Sequence, residues 1–263
     1  MQNSNATVVI AVDRCLDIME YISKASGPVS VRELSVKLNI PNASCFRIIK
    51  NMLNRGYIEE SDRASGQYEL GLKILDLAEK KNRTLDVRTI AVPYMDQLAR
   101  KTNQSVQLGK LEQNGVIYIE QSMSMSPIKV IGPLYTPIKI NVSASGKVLC
   151  AFLPPYEQTS YVEQADFTRL TDNSIMDKVE FKKQLQVVRK NYYAVDNEEY
   201  STGIGCLAVP IFDYRGQCAA SLGLTGNIED YTDEKNFEMM RQALMEAAGE
   251  ISLKLGAKVV PGV

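Results

Sequence analysis

The chain has 263 residues, with 30 Lys and Arg against 31 Asp and Glu, no His and no Trp. Its length suits two domains of ordinary size. The absence of His excludes Ser-His-Asp and Cys-His nucleophilic pairs, zinc sites with imidazole ligands and His-based pH switches. No apolar run reaches the roughly 18–20 residues of a membrane-spanning helix, and the N-terminal residues lack a signal-peptide pattern. We therefore expect a cytoplasmic protein whose five cysteines are reduced.

The N-terminal third predicts three short helices. Apolar residues recur at three- and four-residue steps over residues 10–24, which indicates a first helix. Ser30, followed three positions later by Glu33, has the pattern of a capping box and predicts the start of a second helix. Asn42 is the expected N-cap of a third helix that runs to about residue 54.

The third predicted helix has two different faces. Its apolar side carries Cys45, Ile48, Ile49 and Met52. Its other side carries Ala43, Phe46, Arg47, Lys50 and Asn54. An aromatic ring beside two cations on one helical face suits insertion into a DNA major groove. The alternative is a solvated basic face on a structural helix.

A polar, Gly-bearing segment between residues 57–60 and 67–70 predicts a β-hairpin. Three helices followed by a hairpin describe a winged helix-turn-helix. The next residues have helical patterns over 72–81 and 84–101, and we expect Pro93 to kink or interrupt the second of these.

The C-terminal half alternates strand and helix patterns. Asn114-Gly115 between residues 106–112 and 116–123 is a strong hairpin signal. A second strand pair is predicted at residues 205–212 and 217–225. Helices are predicted over residues 148–153, over residues 179–191 and after Thr232, the expected cap of a long final helix. Strands with segregated helices indicate an α+β domain with a largely antiparallel sheet.

Four segments carry motifs in a fixed order: PNASCFR at residues 41–47, SASGK at 143–147, RKNYYAVDNEE at 189–199 and GIGCLAVPIFD at 203–213. Together they resemble the signature of the IclR family of bacterial transcription regulators, and the similarity runs from about residue 9 to residue 256. The resemblance implies a winged helix-turn-helix DNA-binding domain at residues 1–78 and a helical linker at residues 79–89. It also implies a GAF/PAS-like effector-binding domain at residues 90–263.

The resemblance further implies a sequence-specific DNA-binding transcriptional regulator, not an enzyme, that represses or activates a catabolic operon. Its expected partners are double-stranded operator DNA, a small-molecule effector such as an organic, sugar or aromatic acid, a homodimer or homotetramer partner, and RNA polymerase. No cofactor, metal or membrane partner is expected.

Site residues follow from the resemblance and from the faces of the predicted helices. The residues expected at DNA are Ser30, Asn42, Ala43, Ser44, Phe46, Arg47, Lys50, Arg63, Ser65 and Gln67. The residues that the resemblance places at the effector are Ala144, Ser145, Asp196, Cys206, Gly223 and Thr225, with Ile128 and Leu134 on an apolar side.

The residue chemistry of the effector segment leaves alternatives open. Residues 143–146 at a helix N-terminus offer N–H donors and hydroxyls to a carboxylate, but Ser145 could instead cap the helix. Cys206 could be a core thiol, and Asp196 with its neighbours Glu198 and Glu199 could form a solvated acidic turn.

The chain departs from the family pattern at three positions. Asn141 stands where the family usually has His, Tyr192 where it has Gly, and Gly223 where it often has Ser. Fewer hydroxyls at the last position favour a larger or less polar effector.

Two rival functions remain at this level. The Ser, Asp and Cys set suits a small-molecule enzyme, although the absent His removes the usual base. The second rival function is that of an adaptor, in which the winged helix binds a protein partner.

Overall fold

The computed structural model describes residues 9–61, 65–82, 86–113, 115–124, 130 and 132–258, without the side chains of 79, 81 and 82. The chain divides into two compact units, Met1–Thr84 and Leu85–Val263. This division falls within residues 79–89, whose role as a linker stays a prediction.

The first unit has the predicted winged helix-turn-helix order. Its helices are α1 (Ile10–Lys24), α2 (Val31–Lys37), α3 (Asn42–Asn54) and α4 (Lys73–Asn82). Its strands are β1 (Val29–Ser30), β2 (Ile58–Glu60) and β3 (Gln67–Leu70), in the antiparallel order β1-β3-β2. The two-residue strand β1 was not predicted, because it is too short to show a period in the sequence.

Apolar residues from every part of this unit meet in one core, which includes Ile18, Leu34, Cys45, Ile49 and Ile58. The expected cap at Asn42 is wrong. Pro41 occupies the N-cap position, and its carbonyl oxygen accepts hydrogen bonds from the amides of Ser44 (2.8 Å) and Cys45 (2.9 Å). Asn42 is therefore the first helical residue, and its side chain does not cap the helix.

The second unit is built on an antiparallel sheet, as predicted, and this sheet has five strands. Its strands are β4 (Ser105–Glu112), β5 (Gly115–Ser122), β6 (Ala194–Asn197), β7 (Ile204–Phe212) and β8 (Cys218–Asn227), in the order β5-β4-β8-β7-β6. Its helices are α5 (Val87–Thr102), α6 (Ala144–Ala151), α7 (Pro155–Gln164), α8 (Lys178–Asn191), α9 (Ile228–Thr232) and α10 (Glu234–Lys254). A short 3-10 helix spans Ile140–Val142.

The two faces of this sheet pack against different helices. Leu207 and Leu222 belong to a core that contains residues of α5 and α10. Ala208, the neighbour of Leu207 on β7, belongs to a second core with Val148 of α6 and Phe181 of α8. Successive residues of a strand point to opposite faces, so the sheet forms the middle of three layers.

Two expectations about helices in this unit are corrected, and one open alternative is decided. The helix α5 runs through Pro93, so this proline does not interrupt it. Asp233, not Thr232, caps α10, and its Oδ1 accepts a hydrogen bond from the Asn236 amide at 2.8 Å. Ser143 caps α6 through its hydroxyl, which accepts from the Gly146 amide at 3.2 Å. The alternative that Ser145 caps this helix is thereby excluded, because Ser145 lies inside the first turn.

Candidate functional site

The helix α3 carries the first candidate surface. Asn42, Ala43, Phe46, Arg47 and Lys50 are all exposed on its outer face. Phe46 is 47% exposed, and the Lys50 ammonium lies 5.6 Å from the centre of its ring. An aromatic ring beside cations on one exposed helical face suits a ligand that carries both negative charge and apolar groups.

The other described residues predicted at DNA belong to the same unit. Ser30 pairs with Gln67 in the β1–β3 ladder, and the Ser30 hydroxyl also accepts from the Glu33 amide at 3.2 Å, as the capping-box pattern predicted. Ser44 is half-buried and Ser65 is exposed. Arg63 lies outside the described residues.

The second unit contains the second candidate site, a cavity of about 190 Å³ on the α6 side of the sheet. Its described lining residues are Gln107, Tyr118, Val130, Gly132, Pro133, Ile138, Val142, Ser143, Asp196, Tyr200, Ser201, Ile204, Cys206 and Thr225. These residues come from all five strands and from the segments before α6 and after β6. The cavity is therefore a feature of the folded sheet and not of one motif.

Three predicted effector residues form a row across the cavity floor. Asp196 pairs with Cys206 in the β6–β7 ladder, and Cys206 pairs with Thr225 in the β7–β8 ladder. The Cys206 sulfur lies 3.1 Å from the Thr225 hydroxyl oxygen. Antiparallel pairing of three neighbouring strands thus brings together residues that are ten to thirty positions apart in the chain.

Asp196 is 1% exposed, so the alternative of a solvated acidic turn is wrong for this residue. Burial raises the pKa of Asp196 above its ordinary value, although the Glu199 amide donates to Oδ1 at 2.7 Å and Lys147 lies nearby. Burial likewise raises the pKa of the Cys206 thiol well above its ordinary value, and the neighbouring Asp196 charge adds to this effect. Cys206 is therefore a neutral thiol at physiological pH and a poor nucleophile.

A buried ion pair holds the Asp196 segment in place, and the sequence patterns did not reveal it. Lys147 is 2% exposed, and its ammonium contacts the two Glu199 carboxylate oxygens at 2.6 and 2.8 Å and the Val195 carbonyl at 2.5 Å. Burial raises the pKa of Glu199 to about 7, against the lowering effect of Lys147. The signal available in the sequence was the Lys at the end of the SASGK motif, an unusual residue for a helix that is otherwise small and apolar.

Tyr118 is a lining residue of the cavity that the sequence patterns did not reveal. Its hydroxyl is within hydrogen-bonding reach of Ser143 and Ser145, and burial raises its pKa to about 12. The strand pattern after Gly115 predicted β5 but not which of its side chains would face a cavity.

Five predicted effector residues lie outside the described lining. Ala144 and Ser145 are buried in the first turn of α6, and Gly223 faces them, since a Cβ built on Gly223 would lie 3.5 Å from the Ser145 hydroxyl oxygen. Leu134 forms an isolated bridge with Tyr118 and is 39% exposed. Ile128 lies outside the described residues.

Asn141, which stands where the family usually has His, forms hydrogen bonds to the backbone of another segment. Its amide nitrogen donates to the carbonyls of Thr168 (2.8 Å) and Ile175 (2.9 Å), and its oxygen accepts from the Thr168 amide at 3.2 Å. It is fully buried and is not a lining residue of the cavity. It ties the 3-10 helix before α6 to the segment that precedes α8.

Within the described ranges, no group of three or more His, Cys, Asp or Glu side chains is placed to hold a metal ion. In the same part of the chain, no helix is long and apolar enough to cross a membrane.

Comparison with known proteins covers both units. A family model described as the C-terminal part of the bacterial transcriptional regulator IclR matches residues 80–253, and the IclR helix-turn-helix domain matches residues 11–62. The HTH-type transcriptional repressor AllR of Escherichia coli K12 is 26% identical over 251 residues, which cover 95% of this chain and 92% of AllR.

Solved structures of IclR proteins have the same fold as this chain. Thermotoga maritima IclR is 29% identical, with a TM-score of 0.62 over 94% of this chain and 99% of that one. An IclR homolog from Microbacterium hydrocarbonoxydans, solved with 4-hydroxybenzoate, shares the fold at 20% identity, with a TM-score of 0.58 over 93% of this chain and 98% of that one. The chain belongs to the IclR family of bacterial transcriptional regulators, with a DNA-binding helix-turn-helix domain and an effector-binding domain, and it is not an enzyme.

Proposed function

We propose that the exposed face of α3 reads operator DNA and that a small molecule in the cavity above Asp196, Cys206 and Thr225 controls this binding. The observation that carries the DNA-binding part is the joint exposure of Phe46, Arg47 and Lys50 on the third helix of a helix-turn-helix. In this motif the corresponding helix lies in the major groove.

Within this proposal the side chains have distinct roles. Arg47 has the planar fork that pairs with guanine, and Phe46 offers apolar contact to a thymine methyl. Asn42 and Ser44 hold phosphates at the start of α3, and Ser30, Ser65 and Gln67 contact the flanking backbone. The protein acts in the cytoplasm as a homodimer or homotetramer on palindromic DNA, with RNA polymerase as a further partner.

Replacing Arg47 tests the reading face. We expect Arg47→Ala to weaken binding to the DNA upstream of the protein's own gene by about 1–3 kcal/mol and to relax sequence preference, since one bidentate base contact is lost. Lys24→Ala, which removes the same charge from an exposed position on α1, is the matched control and should bind normally. Fluorescence anisotropy over a range of salt concentrations measures both variants.

Equal losses for Arg47→Ala and Lys24→Ala would mean that only the overall charge matters. Binding that is insensitive to salt would favour the adaptor, because phosphate contacts release counterions and depend strongly on salt.

Asp196→Asn tests the effector cavity. Asn keeps the size of the side chain and an oxygen acceptor for the Glu199 amide, but it removes the carboxylate that a ligand would meet. We expect the variant to bind the same DNA as the wild type and to lose its response to metabolites that protect the wild type thermally. A normal response in the variant would remove Asp196 from the effector site.

The family resemblance implies an organic, sugar or aromatic acid as effector. A thermal-shift screen of such acids, with neutral analogues alongside, identifies the class directly. Loss of DNA binding on addition of a hit would identify a repressor that is released by its effector.

A further inference from the structure

A second cavity of about 250 Å³ adjoins the first at the end of the sheet where β4 and β7 begin and β8 ends. Val130, Ile204 and Thr225 line both cavities, so the two spaces meet at these side chains. No residue predicted from the sequence to bind the effector belongs to the second cavity except Thr225.

The floor of the first cavity continues directly into the second. Thr225 pairs with Cys206 on one side and with Ser105 of β4 on the other. Ser105 lines the second cavity, as Asp196 lines the first. Four neighbouring strands thus present one polar row, with Thr225 at the junction of the two spaces.

The wall of the second cavity is built around a buried amide. Gln104 is 6% exposed, and its side-chain nitrogen donates to the Asp230 carboxylate at 2.9 Å. A Cβ built on Gly226 would lie 1.7 Å from the Gln104 side-chain oxygen. Only glycine on β8 therefore allows Gln104 to take this position, in which it holds Asp230 at the cavity wall.

The chemistry of the second wall differs from that of the first. Among its described residues, Asp230 is the ionisable group, and Asn103, Gln104, Ser105 and Asn227 add amide and hydroxyl groups. Such a wall satisfies several hydroxyls of a ligand, and its carboxylate accepts hydrogen bonds from hydroxyl or ammonium donors but repels an anion.

We propose that the effector site has two compartments and takes an extended molecule, whose far end is a hydroxylated, uncharged or cationic group bound by Asp230 in the second cavity. The proposal rests on the assignment of the first cavity as the effector site. It adds that ligand length and the charge of the far end determine selectivity.

One six-carbon skeleton with different ends provides the probes: sorbitol, glucamine, gluconate and glucarate, with glycerol and glycerate as short analogues. Isothermal titration calorimetry on the full chain measures their affinities. We expect the long probes with a hydroxyl or ammonium end to bind more tightly than the short ones, and glucarate, anionic at both ends, to bind most weakly of the long probes.

Asp230→Asn keeps the acceptor oxygen for Gln104 and removes the charge. It should weaken glucamine binding about tenfold, the usual loss for one charge-assisted hydrogen bond. It should also narrow the gap between glucarate and gluconate and leave the short probes unchanged. Glu250→Gln, at an exposed carboxylate on α10 that does not line the cavity, is the matched control and should change nothing.

Three results overturn the proposal: no long probe binds, glucarate binds best of the long probes, or Asp230→Asn alters short and long probes equally. If the protein still binds its DNA and responds to another small molecule through Asp196, the second compartment alone has failed. If it binds neither DNA nor any metabolite, the proposed function has failed.

Discussion

Tyr192 shows how a single unfavourable backbone conformation is stabilised by side-chain packing. It ends α8 with φ at 62°, in the left-handed region that costs a residue with a side chain roughly 1–2 kcal/mol. Its ring stacks on Phe152 at a centroid distance of 5.3 Å and meets Phe212 edge-on at 6.3 Å. The aromatic contacts offset the cost of this backbone conformation. A glycine, which the family pattern has here, would not incur that cost.

We therefore expect Tyr192→Gly to lower the free energy of unfolding by about 1–2 kcal/mol, because the lost ring packing exceeds the relief of backbone strain. Tyr192→Phe keeps the ring and should stay within about 0.5 kcal/mol of the wild type. Urea denaturation measures both. A Tyr192→Gly protein more stable than the wild type would show that the strain exceeds the packing energy.

The sequence predicted individual residues best where local spacing determined their environment. The outward position of Phe46, Arg47 and Lys50 followed from helical periodicity alone. The burial of Glu199 did not, because it depends on Lys147, which lies about fifty positions earlier in the chain. Long-range ion pairs leave no period in the sequence.

At the scale of elements, the predictions failed where an element was short or its first residue was misread. No helix was predicted between residues 153 and 179, yet α7 begins at Pro155. A proline at the first helical position costs nothing, since its missing N–H would have no partner there. The four-residue strand β6 was also missed, although it carries Asp196.

The start of α10 provides a test at this scale. The Asp233 carboxylate caps the helix, whereas the Thr232 hydroxyl donates to the Glu229 carbonyl of α9 at 3.0 Å. Asp233→Ala should cost about 1 kcal/mol of unfolding free energy, the usual loss for an N-cap. Thr232→Ala, the cap expected from the sequence, should cost clearly less. The reverse order in chemical denaturation would restore Thr232 as the cap.

At the scale of the whole molecule, the chain has no His, so a few buried carboxyl groups can be titrated without overlap from an imidazole. Burial raises the pKa of Glu199 to about 7 and that of Asp196 above its ordinary value. Between the ordinary value of 4.5 for Glu199 and about 7, the folded protein holds protons that the unfolded chain releases. The folded state is thus favoured at the acid end of this window, and stability falls as the pH rises through it.

We expect the free energy of unfolding to decrease from about pH 5 to pH 8, and this slope to flatten in Glu199→Gln. The variant should be less stable overall, since Lys147 loses its charged partner in a buried position. Glu198→Gln removes a carboxylate from the same segment and is the matched control. Urea titrations at several pH values give all three curves, and an unchanged slope in Glu199→Gln would assign the titration to another group.

The order of the strands has a consequence for how fast the cavity floor exchanges amide hydrogens. Strand β8 is hydrogen-bonded to β4 and β7, whereas β6 pairs with β7 alone at the edge of the sheet. Amides of a central strand exchange only when the whole ladder opens, and those of an edge strand exchange through smaller openings. Thr225 therefore belongs to the slowest-exchanging part of the sheet and Asp196 to a faster one. A ligand that bridges the two residues slows amide exchange in β6 far more than in β8. Hydrogen exchange therefore detects its binding mainly at the edge of the sheet.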